Sequence, residues 1–149
     1  MWAESEFLRG RLAQVESKGV IGMTSQPELT LTTINIGAPK PGELARFYAR
    51  LLGWEIRAEE PNWVILKAPA GGVTLSFQTE EFHARPVWPP TGPSDQQMMM
   101  HLEIRVDDLP SACAHAEACG ATMADYQPQD TVRVYFDPAG HPFCLWLAE

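Results

Sequence analysis

The chain has 149 residues, 45% of them hydrophobic, and a formal net charge of -8. That is one domain's length with enough apolar content for a packed core, which excludes disorder over most of it. The acidic balance excludes a nucleic-acid surface and an anionic membrane surface, both of which need a basic face, and no apolar run is long enough to span a bilayer.

Residues 1–28 read as an N-terminal extension. The opening MWAESEFLRGRLAQ lacks the apolar segment of a secretory signal. Ala3 to Lys18 is charged, rich in helix formers and stopped by Gly19, which predicts a short helix. From Leu29 the pattern changes, and LTLTTINI alternates as a half-buried strand does. GELARFYARLLG then predicts a helix with Leu44, Phe47, Tyr48, Leu51 and Leu52 on one face and Gly53 as its stop. WEIRAEE, NWVILKA and GGVTLSFQ follow as three strands separated by turn residues. The stretch TEEFHARPVWPPTGPSDQQ is too rich in proline for either element and reads as a linker over 80–97. MMMHLEIRV, DLPSACAHAEACG, ATMADY, VRVYFDP and HPFCLWLAE then give strand, helix and three strands. The first module thus covers 29–79 and the second 98–149.

The two modules repeat at an offset of 68, which carries Ile34 and Ile36 onto Leu102 and Ile104, Val64 and Leu66 onto Val132 and Val134, and Phe77 onto Leu145. The predicted architecture is α+β: two βαβββ modules forming a curved eight-stranded sheet, with helices outside and a concave cup inside. Period two assigns Ile34, Ile36, Val64, Leu66, Leu75 and Phe77 to the first helix, and Leu102, Ile104, Val132, Val134, Phe143 and Leu145 to the second. The cup face then carries Thr33, Asn35, Trp63, Ser76 and Gln78 from module one. From module two it carries His101, Glu103, Arg133, Tyr135, Cys144 and Trp146. Such a face suits a small-molecule pocket, and equally a surface covered by a partner subunit. The linker, with Trp88 among its prolines, reads either as a lid or as a subunit contact.

The segments ELARFYARLLGWE, WPP followed by QQMMMHLEIRVDDL, and DPAGHPFCLWL resemble the glyoxalase-like branch of the glyoxalase/bleomycin resistance/dioxygenase (vicinal oxygen chelate) superfamily. The resemblance covers residues 29–147. Metal-dependent members place a ligand on the first and last strand of each module, where a divalent ion polarises vicinal oxygens of the substrate. The resemblance puts Thr33, Ser76, His101 and Cys144 at those four positions. Only His101 is a usual ligand there, and a hard ion would want carboxylates, so no resident metal is expected. Glu103 and Gln78 are the nearest substitutes.

Other chemistry is weighed on the residues themselves. His101 beside Cys144 offers either an activated thiol or a small buried thiol as filler. Glu103 and Arg133 offer a polar anchor or a mutually neutral pair. His141, after the turn DPAG, either caps local backbone or reaches the pocket rim, and His83 has no partner visible in the sequence. Three cysteines without a CxxC pair point to a reducing cytoplasm.

Three classes stay open. The first is a homodimeric protein that binds a small amphipathic molecule, favouring a cationic guest, without metal. The second is a lyase, isomerase or dioxygenase using a rearranged metal site. The third is a metal-free enzyme using His101 with Cys144 or Glu103.

Overall fold

The computed structural model describes residues 27–148. The predicted helix over Ala3–Lys18 lies outside the described residues. The chain divides into a unit of residues 1–30 and a unit of 31–149. Residues 27–30, the described part of the first unit, carry no regular secondary structure.

The second unit runs β1 (Thr33–Ala38), α1 (Pro41–Leu52), β2 (Glu55–Glu60), β3 (Trp63–Lys67) and β4 (Thr74–Thr79). It then repeats the series as β5 (Leu102–Val106), α2 (Leu109–Cys119), β6 (Thr122–Met123), β7 (Val132–Phe136) and β8 (Pro142–Leu147). The two βαβββ modules are thus present, and the class is α+β. The strands form two four-stranded sheets, β1-β4-β3-β2 and β5-β8-β7-β6, with no ladder between β1 and β5.

Local chemistry sets the ends. Pro41 starts α1, and Gly53 ends it in the left-handed region at φ 66°. In α2, Asp108 caps the N-terminus by accepting from the Ser111 amide at 2.8 Å, and Gly120 ends the helix at φ 108°. Two strands start later than the alternation predicts. β1 begins at Thr33 because its partner begins at Thr74, leaving most of Leu29–Thr32 nothing to pair with. β5 begins at Leu102 because β8 supplies Phe143 opposite it, and the chain before Pro142 is a turn. β6 is only two residues long. Beyond it the Gln127 side chain takes over the strand's role, donating to the Ala124 and Val134 carbonyls and accepting from the Val134 amide.

One apolar core joins both modules: Leu44, Phe47, Tyr48, Val64, Leu66, Leu75 and Phe77 meet Tyr135, Phe143 and Leu145. Tyr48 stacks on Phe77 at 5.5 Å, and Phe47 lies 6.0 Å from Phe143. Each such buried ring stabilises the fold by roughly 1.5–3 kcal/mol relative to exposure. The module join is sealed by a polar knot. Asp137, 1% exposed, accepts from the Tyr48 hydroxyl at 3.0 Å, from the Ala139 and His141 amides at 2.9 Å each, and from His141 Nδ1.

The register of β7 corrects one assignment. In the first module Trp63 pairs with Gln78 and Ile65 with Ser76. In the second, Val132 pairs with Trp146 and Val134 with Cys144. β7 is therefore shifted by one residue from the offset of 68 that holds elsewhere. A one-residue slip turns every side chain of a strand over. Val132 and Val134 lie on the Cys144 face, and Arg133 and Tyr135 lie on the helix side. Tyr135 is fully buried, stacks on Phe143 at 5.9 Å, and donates to Glu117 on α2 at 3.0 Å. Arg133 curls onto the carbonyls of Gln129, Asp130 and Val132. The anticipated Glu103–Arg133 pair does not form.

Candidate functional site

The faces turned away from the shared core carry the remaining expected residues, in two groups. On the first sheet Asn35 pairs in register with Ser76, and the Asn35 amide donates to Gln78 Oε1 at 2.7 Å, with Trp63 opposite Gln78. Thr33 lies opposite Thr74 on the same face, and Ser76 is buried. These are neutral donors and acceptors around one indole. They hold no charged ligand for an ion.

The second sheet is chemically richer. Glu103 on β5 lies opposite Cys144 on β8, and Arg105 opposite Trp146. His101 stands two residues before Glu103, so period two puts both on one face, with His101 Nε2 3.2 Å from Glu103 Oε1. One ligand atom each from His101, Glu103 and Cys144 lies within 4.8 Å of the others. Burial, and secondarily the charge of Glu103, pushes the Cys144 thiol above its ordinary pKa. A thiol held protonated is a poor nucleophile, which argues against the His101–Cys144 catalytic reading. No hydrogen bond or ion pair among the described residues links Thr33, Asn35, Ser76 or Gln78 to this trio.

A cavity of about 430 Å³ lies beside the trio. Its wall includes Ile34, Asn35 and Ile36 from β1, Tyr48 from α1, Leu102 from β5 and Pro142 from β8. The linker residues His83 and Pro86, and Met98 to Met100 just before β5, complete the wall. His101 is on the wall; Thr33, Ser76 and Cys144 are not. Trp88 packs instead against Tyr126, at 5.7 Å between ring centres. The linker is ordered by Asp95, whose carboxylate accepts from the Thr91 amide and hydroxyl and from the Gly92 amide; those bonds lower its pKa. It is pinned to the DPAG turn by His83 Nε2, 2.9 Å from the Ala139 carbonyl. Sequence reasoning misses His83 and Tyr48 as wall residues. No periodicity signals a histidine in a proline-rich linker, and Tyr48 reads as helix core.

The sequence model of the glyoxalase-like domain family matches residues 33–146. The chain belongs to that family. Its fold is shared with a glyoxalase/bleomycin resistance protein/dioxygenase family enzyme from Burkholderia phytofirmans PsJN (TM-score 0.62, 18% identity, 81% of this chain and 100% of that one). It is also shared with a lactoylglutathione lyase from Agrobacterium tumefaciens (TM-score 0.54, 16% identity, 83% and 96%) and with the fosfomycin resistance protein FosX from Mesorhizobium loti (TM-score 0.58, 12% identity, 83% and 95%). Identities this low show the fold alone. No curated protein matches the chain in sequence.

The superfamily implies a divalent ion, and this glyoxalase-like chain fits one kind better than another. A nitrogen, a carboxylate oxygen and a sulfur suit a borderline ion such as zinc, with one position left open, whereas magnesium wants oxygens alone. Ligands of tetrahedral zinc stand roughly 3.5 Å apart; His101 and Glu103 already approach to 3.2 Å, so any contraction onto an ion falls to Cys144. Glu103 supplies the third donor in the observed register. None of the described helices is long and apolar enough to cross a membrane.

Proposed function

We propose that this glyoxalase-like chain binds a small amphipathic organic molecule, with the apolar body in the cavity beside β1 and β5 and a polar end on the His101–Glu103 pair. One observation carries the reading: His101 belongs to both places, bonded to Glu103 at 3.2 Å and present on the wall of a cavity of about 430 Å³. That volume lies in the range of small-molecule sites, and the wall is largely apolar with a few polar groups. This reading requires no resident metal, because His101 and Glu103 can meet the guest's polar end directly. The net charge of -8 favours a cationic guest. A second copy of the chain is the proposed partner, its role being to cover exposed apolar side chains such as Met99, Met100 and Phe82. The free thiols support a reducing cytoplasm as the compartment.

The second reading is favoured by the trio itself. His101, Glu103 and Cys144 would hold a zinc-like ion, which when bound supplies a Lewis acid for lyase, isomerase or dioxygenase chemistry. Metal content separates the two readings. Protein purified without added metal is expected to carry none in stoichiometric amount. A thermal-shift screen with amphipathic amines is expected to yield a binder. A ligand at 100 times its Kd adds about 2.7 kcal/mol, a rise of roughly 5–10 °C for a chain of this length. One equivalent of zinc lost on C144S would favour the enzyme instead, and the absence of any binder would remove the first reading.

A further inference from the structure

We propose a second site on the same cavity wall: a borderline divalent cation, zinc in type, held by His83 Nδ1 and His141 Nε2. It is independent of the small-molecule reading and lies apart from the four positions at which the family's metal-dependent members carry ligands.

Each imidazole has one nitrogen already committed. His83 Nε2 lies 2.9 Å from the Ala139 carbonyl, which can only accept, so that nitrogen is the N–H. His141 Nδ1 lies 2.9 Å from Oδ2 of Asp137, a carboxylate that also accepts from Tyr48 and two backbone amides. Both rings are thus fixed with the opposite nitrogen bare: Nδ1 on His83, Nε2 on His141. Neither has a hydrogen-bond partner among the described residues. A carbonyl or carboxylate behind the ring is the arrangement that orients histidines as metal ligands. The ring centres are 5.2 Å apart with planes inclined at 57°. Two imidazoles on one tetrahedral zinc, with bonds of about 2.0 Å, put their ring centres roughly 5 Å apart. The two imidazoles are the protein ligands of the site, and water would fill the remaining positions; exposed Glu80 lies on the same cavity wall.

Such an ion would fasten the linker that closes the cavity to the turn between β7 and β8, since His83 belongs to the one and His141 to the other. The substitutions that test it keep the structural bonds. In H83Q the introduced side-chain amide still reaches the Ala139 carbonyl, and in H141N it still reaches Asp137, while each removes the bare nitrogen. The full chain carrying H101A and C144S, which silences the trio, is titrated with zinc chloride by calorimetry. One equivalent is expected to bind. H83Q and H141N in that background are each expected to weaken it at least tenfold, whereas E80Q, on the same wall, is expected to leave it within about twofold. Imidazole ¹⁵N spectra are expected to shift at His83 Nδ1 and His141 Nε2 on zinc addition. No zinc bound in the H101A/C144S chain, or affinity unchanged by both histidine substitutions, overturns the site. Should H141N fail to fold, H83Q and the ¹⁵N spectra decide it.

Discussion

At the scale of single residues, Asp137 and Cys144 show how burial decides what a polar group does. Asp137 is a buried carboxylate with its oxygens fully engaged, and no buried side-chain polar atom among the described residues lacks a partner. Tyr48, driven well above its ordinary pKa by burial and then by Asp137, remains a donor throughout the working pH range. Tyr48→Phe removes one hydrogen bond to a charged acceptor and is expected to cost about 1.5–3 kcal/mol in urea unfolding. A loss under about 0.5 kcal/mol would show that the knot does not hold the modules together. Cys144 is the opposite case. Its thiol is expected to alkylate more slowly at pH 8 than an ordinary exposed cysteine, read by mass spectrometry of the labelled peptide. Glu103→Gln removes the smaller of the two causes, so the rate should rise only in part. A fast-reacting Cys144 in the unmodified chain would reinstate the thiol as a nucleophile.

At the scale of elements, both helices and the four-strand composition of each module are legible in the sequence, because caps, period and turn residues agree. The β7 register is not. The offset of 68 holds for β5 and β8, and an extra residue before Val132 is invisible to a repeat whose members are all hydrophobic in alternation. Tyr135 and Arg133 therefore read as site residues, although Tyr135 sits under α2. Tyr135→Phe is expected to destabilise the fold while leaving ligand affinity within a factor of about two, since the removed hydroxyl bonds Glu117 and not the cavity. The grouping of His101, Glu103 and Cys144 is legible from period two, whereas the cavity depends on where an irregular linker runs. The α2 cap gives a pH dependence with a definite sign. Hydrogen bonding to Ser111 lowers the Asp108 pKa. Its contribution is therefore present above the ordinary carboxylate range near 4 and is lost as pH falls through the lower folded value. Asp108→Ala is expected to lower Tm at pH 7 and to lower it less once both states are protonated, because the charge-dependent part of the cap is then gone.

At the scale of the whole molecule, duplication explains both what is repeated and what is not. Each module buries one sheet face beneath a helix, and a single core with the Tyr48–Asp137 bond across it makes the pair one unit. The outward faces were then free to diverge: the first sheet carries an amide pair and an indole, the second an imidazole, a carboxylate and a thiol. That asymmetry places the one group of three converging ligand atoms among the described residues, His101, Glu103 and Cys144, on the second sheet alone. The proposed pairing with a second copy predicts that light scattering will find a dimer, with the exposed methionines at its interface. Met99→Lys with Met100→Lys should then raise the monomer fraction without unfolding the chain.

The most direct test is the affinity of an amphipathic ligand, taken from the thermal-shift screen, for the unmodified chain and for His101→Ala, measured by calorimetry in metal-free buffer. A loss of tenfold or more with an unchanged fold is expected, since His101 is where cavity and polar pair meet. Equal affinity for both chains would contradict it.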